Sequence, residues 1–260
     1  MILLSFDIEE FDMPFEYNRK IEFEDQIKVS AIGTGIILDI LKKHQIKATF
    51  FSTATFAIHI PELLKRIIDE GHELASHTYY HSSFDVVDLV NSKKKLEELS
   101  NTEVIGFRMP RMQPVDEKEI YKAGYRYNSS INPTYLPGRY NNFDKPRTFY
   151  NQEGVWQIPA SVSPIIRFPL FWLSFHNLPL WIYKLVAKWT LKKDSYLNIY
   201  FHPWEFTNLD NKEAYNFPGY VSKNSGYKMA ERLDNFIIWL KQNKNEFATF
   251  RTFLEQNQLN

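Results

Sequence analysis

The chain contains no cysteine. That excludes a disulfide framework and any cysteine-based zinc site. An excess of charge of one sign is also missing, because 31 basic and 31 acidic side chains cancel to zero. A neutral balance argues against nucleic acid or an anionic membrane as the main partner of the whole chain. There is no Gly/Ser tract, internal repeat or low-complexity linker, so one domain over residues 1–260 is the simplest organisation. A membrane span needs ~20 uninterrupted apolar residues, and the nearest approach, residues 165–191, is broken by Arg167, Pro169, His176, Pro179 and Lys184. That segment reads as a core-packed helix and loop, or as a surface in peripheral contact with a membrane or a lipid-linked substrate. A secretory leader has a basic start and a continuous apolar region. Here acidic residues arrive after the sixth position, which leads to the expectation of a cytoplasmic protein, peripheral at the inner membrane surface if residues 165–191 make such a contact.

What is present is an ordinary globular balance of 44% hydrophobic and 24% charged residues. The 15 Tyr and 21 Phe suit a thick aromatic core or sugar-stacking surfaces. Short β-rich runs recur: "ILLSFDI", "IKATFFST", "HELAS", "VIGFRM", "YRYNSSI", "VWQIP", "YLNIYF" and "EFATF". Helical stretches lie between them. In "KVSAIGTGIILDILKKH" the apolar residues Ile32, Ile36, Ile37, Ile40 and Leu41 share one face. "PELLKRIIDEG" opens on Pro61 and closes on Gly71, the usual helix punctuation. Alternating strand and helix predict an α/β fold with parallel strands. Seven or eight such units fit a barrel, which places chemistry at the C-terminal ends of its strands. Residues 132–154, rich in Pro, Asn and Gly, are expected to form a long irregular loop of functional importance.

Four polar features fall at expected strand ends: Asp7, Glu9 and Glu10 after "ILLSF", the pair His77 and His81, Arg108 in "GFRMP", and His202 in "YFHPWEF". Two histidines four residues apart can aim both imidazoles at one ion. Together with a carboxylate and an open position they make a hydrolytic metal site. A second carboxylate outside the metal's ligands would take a proton from water, and a separate histidine would protonate the leaving group. His72 reads as a buried structural histidine, while His44 and His59 read as solvated.

The run "LDILKKHQIKATFFSTATFAIHIPELLKRIIDEGHELASHTYYH", followed in order by "GFRMP", "AGYRYNSS" and "FHPWEF", resembles the polysaccharide deacetylases of carbohydrate esterase family four. It is most similar to the branch with an Asp-x-Glu opening and a His-Pro-Trp-Glu ending. The resemblance implies a deformed (β/α) barrel of about seven strands, TIM-like in outline. It also implies one divalent metal, usually Zn2+, and hydrolysis of an N-acetyl group from an amino sugar. Carried over by position, Asp7 matches the general base, Arg108 its partner, and His202 the general acid. Glu9, His77 and His81 match the metal ligands. The backbone N–H of Arg111 falls at an oxyanion donor position, and Trp204 lies in the substrate-side ending. Three departures are visible. The family mostly has Asp where this chain has Glu9, which leaves Glu10 as an alternative ligand. Many members have Asp at Asn128. A small or aromatic residue is common where Arg111 stands, so its guanidinium is either a surface cation or a group aimed at an anionic substrate. The substrate implied is an N-acylated sugar, oligosaccharide or lipid-linked glycan. A deformylase of a lipid-linked amino sugar and a retired glycan-binding scaffold are the alternatives.

Overall fold

Strand β1, Ile2–Ile8, is buried at every residue, as befits a parallel strand covered on both faces. It stands near one end of the main sheet in the computed structural model, which describes residues 1–259. The other strands follow as β2 (Thr49–Ser52), β3 (Glu73–Ser76), β4 (Gly106–Phe107), β5 (Tyr127–Asn128), β6 (Tyr135–Leu136), β7 (Tyr140–Asn141), β8 (Tyr150–Gln152), β9 (Val155–Gln157) and β10 (Leu197–Phe201). The helices are α1 (Phe23–His44), α2 (Ala54–His59), α3 (Pro61–Asp69), α4 (Val87–Ser100), α5 (Glu117–Lys122), α6 (Trp172–Asn177), α7 (Leu180–Asp194), α8 (Gly219–Ser222), α9 (Tyr227–Gln242) and α10 (Phe250–Gln256).

The main sheet has the order β10-β1-β2-β3-β4-β5-β9-β8. All its neighbours pair in parallel except the edge strand β8, which runs antiparallel to β9. The sheet curls towards closure without completing a ladder. Beyond β9, Ser161 donates its backbone N–H to Asn198 O on β10 at 2.9 Å. The Asn198 side chain donates back to Ile158 O and Pro159 O. Loop and side-chain hydrogen bonds thus bridge the seam, and the expected deformed barrel of about seven strands is what forms.

One face of α1 packs on β1 and β10, where Phe6 stacks between Phe50 and Phe201 at 5.3 and 6.0 Å. The helix also passes very close to the turn after β10. A Cβ at Gly33 would lie 1.9 Å from Pro203 O, so glycine is what lets the His202-bearing turn sit against the helix.

Some expectations need correction. "EFATF" forms no strand: it makes a single bridge, Ile2 to Phe247, and then Thr249 caps α10 by accepting from Thr252 N. Residues 132–154 are not one loop, since they hold the β6–β7 hairpin and β8. His44 is not solvated. Its ring is buried and its Nε2 lies 2.7 Å from Asp234 Oδ1, a partner on α9 that no local pattern announces. His59 is exposed and His72 is buried, as expected. Segment 165–191 divides: Leu170, Phe175 and Tyr183 enter the core, while Ile165, Ile166, Trp181 and Leu185 face outwards. Among the described residues no helix is long and apolar enough to cross a membrane.

Candidate active site

The parallel strands deliver their C-terminal ends to one side of the sheet. β1 and β2 are in register at Asp7–Phe51, β2 and β3 at Ser52–Ser76, and β3 and β4 at Ser76–Phe107. Asp7, His77 and Arg108 therefore emerge side by side, one residue or less past the paired positions. The site is built by register.

Glu9, His77 and His81 converge, with their ligand atoms all within 4.8 Å of one another. His77 Nε2 and His81 Nε2 lie 3.0 and 3.1 Å from the same oxygen, Glu9 Oε2. The other imidazole nitrogens are occupied. His77 Nδ1 donates to Arg108 O at 2.8 Å, and His81 Nδ1 faces Asp12 Oδ1 at 2.8 Å. A carbonyl and a carboxylate only accept, so they favour the tautomers with hydrogen on Nδ1 and a lone pair on Nε2. Two such lone pairs aimed at a carboxylate oxygen repel unless a cation stands among them. The donor set and its outer hydrogen-bond acceptors fit a divalent metal. When no cation is bound, positive charge at His81 and a hydrogen bond from His77 overcome the burial that opposes ionisation of Glu9 and hold its carboxyl below the ordinary carboxylate range.

The structure separates Glu9 from Glu10. Glu10 turns towards α2, where its Oε2 accepts from Thr53 Oγ1 at 2.6 Å, and Thr53 in turn accepts from Phe56 N to cap that helix. Burial pushes the Glu10 carboxyl up. It serves the scaffold.

Asp7 Oδ1 accepts from Arg108 Nη1 at 2.5 Å. Arg108 is fully buried, and it also donates to Ser129 O and Ser129 Oγ, both at 3.0 Å. Its guanidinium lies 4.0 Å from the centre of the Phe51 ring. The second oxygen of Asp7 stands 4.0 Å from His202 Nε2. His202 Nδ1 lies 3.0 Å from Glu205 Oε1, and Glu205 reaches onward to His176. Burial lowers the proton affinity of His202, yet Glu205, Glu9 and Asp7 outweigh it and raise its pKa above the ordinary histidine value. Trp204 stacks on His202 at 4.7 Å, and its indole N–H points to Glu9 Oε1 at 3.4 Å.

Arg111 lines the cleft, but its guanidinium donates to Asp12, Glu16 and His81 O, each at 3.0 Å. Its charge is met by two carboxylates of the chain itself. Asn128 makes neutral bonds, donating to Gln157 Oε1 at 3.0 Å and accepting from Ser130 Oγ. Reading the sequence missed Asp12, Glu205 and His176. Asp12 stood in the same acidic opening as Asp7, and Glu205 in "HPWEF"; both signals were present but had no partner to give them meaning. Around these groups runs an open cleft with Tyr17, Tyr140, Trp172 and Tyr220 in its walls.

Comparisons with known proteins bear on part of the sequence and on the fold. Residues 23–128 match the polysaccharide deacetylase family model. The peptidoglycan-N-acetylglucosamine deacetylase of Bacillus cereus is 42% identical over 71 residues, 26% of this chain and 26% of that protein. A chitooligosaccharide deacetylase of Bradyrhizobium is 47% identical over 48 residues, 18% of this chain and 22% of that protein. The matched segments thus span about a quarter or less of these relatives' length. A probable polysaccharide deacetylase from Pseudomonas aeruginosa superposes with a TM-score of 0.67 at 15% identity, over 96% of this chain and 88% of that one, which shows a shared fold. The resemblance to that family holds in sequence over residues 23–128 and in fold over most of the chain.

Proposed function

We propose that this protein is a metal-dependent hydrolase that removes the N-acetyl group from an amino sugar of a glycan. One observation carries the reading: His77 Nε2, His81 Nε2 and Glu9 Oε2 converge beside Asp7 and His202 at the floor of one cleft. The nitrogen and oxygen donor set suits Zn2+. When bound there, the ion supplies Lewis acidity towards the acyl carbonyl and the attacking water.

The chain's own groups divide the proton work. Asp7 is fixed through one oxygen by Arg108 and presents the other to the cleft, where it accepts the proton of the attacking water. His202 presents Nε2 to the cleft and gives a proton to the departing nitrogen, so that acetate and a free amine leave. Glu205 on Nδ1 fixes the tautomer this needs. The turn after Arg108 supplies the Arg111 backbone N–H as oxyanion donor. Tyr17, Tyr140, Trp172 and Tyr220 offer faces for sugar stacking. The complete donor set argues for an enzyme over a retired scaffold, because Glu9 reaches both histidines despite its extra methylene. Acetate release from N-acetylated chito- and peptidoglycan oligosaccharides, abolished by chelation and restored by zinc, tests the reading. Formate release from matched N-formyl substrates in place of acetate would assign the deformylase alternative.

A specific feature favours a lipid-linked glycan as substrate. On α7, Trp181, Leu185 and Trp189 recur every fourth residue and are 65%, 60% and 37% exposed. Lys188, Lys192 and Lys193 are exposed beside them, and the only acidic residue of the helix, Asp194, is taken by Arg147. An aromatic stripe flanked by lysines suits an anionic bilayer. Cytoplasmic leaflets carry such lipids, which supports a peripheral, cytoplasmic location. Helix α6 joins this surface to the cleft wall at Trp172 and Leu173.

A further inference from the structure

A histidine inside an apolar stretch needs a reason, and the chemistry above leaves His176 unused. It lies on α6 in "FWLSFHNLPLW", only 1% exposed. Its Nε2 is 2.9 Å from Glu205 Oε2, and Glu205 is itself wholly buried. The other oxygen, Glu205 Oε1, accepts the His202 backbone N–H at 2.6 Å and faces His202 Nδ1 at 3.0 Å. One carboxylate is therefore held on both oxygens, by imidazoles from two different elements.

The two grips are unequal in what they fix. Glu205 and His202 sit three residues apart on one short turn, so their bond joins them to each other but not to the scaffold. His176 belongs to α6, which is tied down independently. Arg232 of α9 donates to Phe175 O at 2.7 Å, Asn224 donates to His176 O, and Ser174 Oγ closes the start of the helix on Phe171 N. Trp172 stands edge-on to both rings, 5.9 Å from His176 and 5.5 Å from His202. A glutamate has three side-chain torsions to settle, and the bond from α6 leaves it one orientation. Burying a polar imidazole among apolar neighbours is costly, so a purely apolar side chain would suffice if packing were the only need.

We propose that His176 is a positioning residue: by donating from Nε2 to Glu205 it locks that carboxylate, and through it aims His202 Nε2 at the leaving nitrogen. The inference rests on the role of His202 given under Proposed function. It does not involve the metal ligands.

The test compares the full-length, zinc-loaded wild type with His176→Gln and His176→Leu. The Gln amide nitrogen falls where Nε2 stands, whereas Leu removes the donor. In the Leu variant kcat is expected to fall about 10–100-fold, as for a reacting group set about an ångström astray, with KM and zinc content nearly unchanged. The Gln variant is expected to regain most of kcat. If Leu does not fold, His176→Asn, whose amide is too short to reach Glu205, takes its place. An unchanged kcat in the donor-less variant, an equal loss in Gln, or a loss confined to KM would overturn the assignment. Proton NMR of the hydrogen-bonded His202 Nδ1–H provides a readout without turnover. That signal is expected to persist in Gln and to broaden away in the donor-less variant. It thus separates a failure of this inference from a failure of the proposed reaction, in which no N-acyl sugar would be cleaved by the wild type.

Discussion

Trp204 points its indole N–H at Glu9 Oε1 across 3.4 Å, while the two histidines share Glu9 Oε2. The longer acidic side chain thus has partners at both oxygens, one of them 195 positions away.

This arrangement separates the two neighbouring glutamates by experiment. Zinc analysis after dialysis should show stoichiometric metal in the wild type and in Glu10→Gln, and none in Glu9→Gln. Asp12→Asn, which weakens the support behind His81, should lower zinc affinity by about 10–100-fold. Retention of zinc by Glu9→Gln together with its loss in Glu10→Gln would reverse the ligand assignment.

Asp7→Asn should abolish most acetate release, by about 100-fold or more, since a general base contributes on that scale. It should also destabilise the fold. Arg108 is fully buried, and taking the charge from its partner should cost about 3 kcal/mol. Thermal unfolding of the zinc-loaded variant measures this second effect. Full activity in Asp7→Asn would remove it as the base.

The pH profile should reflect the raised pKa of His202. A general acid works while protonated, so activity is present below that pKa and is lost as the pH rises through it. The alkaline limb of kcat/KM is therefore expected above the ordinary histidine value of about 6.5. Glu205→Gln removes the nearest negative charge and should move the limb down. A limb that stays in place would show that another group controls it.

Stability should fall in acid through a residue remote from the cleft. Burial lowers the His72 pKa to about 4, and its Nδ1 accepts from Ala48 N at 3.2 Å. The unfolded chain binds that proton from about pH 6.5 downwards, whereas the folded chain resists until near its own value. Stability is therefore complete above the unfolded pKa and declines as the pH falls towards about 4, by roughly 3 kcal/mol in all. In His72→Asn, which keeps an acceptor for Ala48, the acid slope of the unfolding midpoint should flatten.

Flotation with vesicles tests the α7 surface. The protein should bind vesicles containing phosphatidylglycerol, release them in high salt, and ignore pure phosphatidylcholine. Trp181→Gln with Trp189→Gln should abolish binding and leave hydrolysis of a soluble oligosaccharide intact. Failure to bind would remove the membrane reading, and self-association that those substitutions dissolve would assign the stripe to a second copy of the chain.

Much of this was legible in the chain itself. Buried parallel strands announce themselves as short β-rich runs between helical stretches, which is why seven of the eight expected strands appear where they were read. Asp7 lies near the end of such a run, and Arg108 and His202 follow theirs directly, so the polar side chains that gather at the strand ends could be read from local sequence. The exception, "EFATF", has the composition of a strand but finds only one bridging partner, and its Thr249 instead begins a helix.

The sequence by itself determined the order of strands and helices and the residue types that meet at the strand ends, because both depend on short-range apolar pattern. The tertiary structure alone decided that Glu9 and not Glu10 faces the histidines, and that Arg111 is spent on Asp12 and Glu16. It also decided that His176 reaches Glu205. These outcomes turn on side-chain orientation and on pairs far apart in the chain, which direct one of two adjacent carboxylates to the histidines and the other to a helix cap.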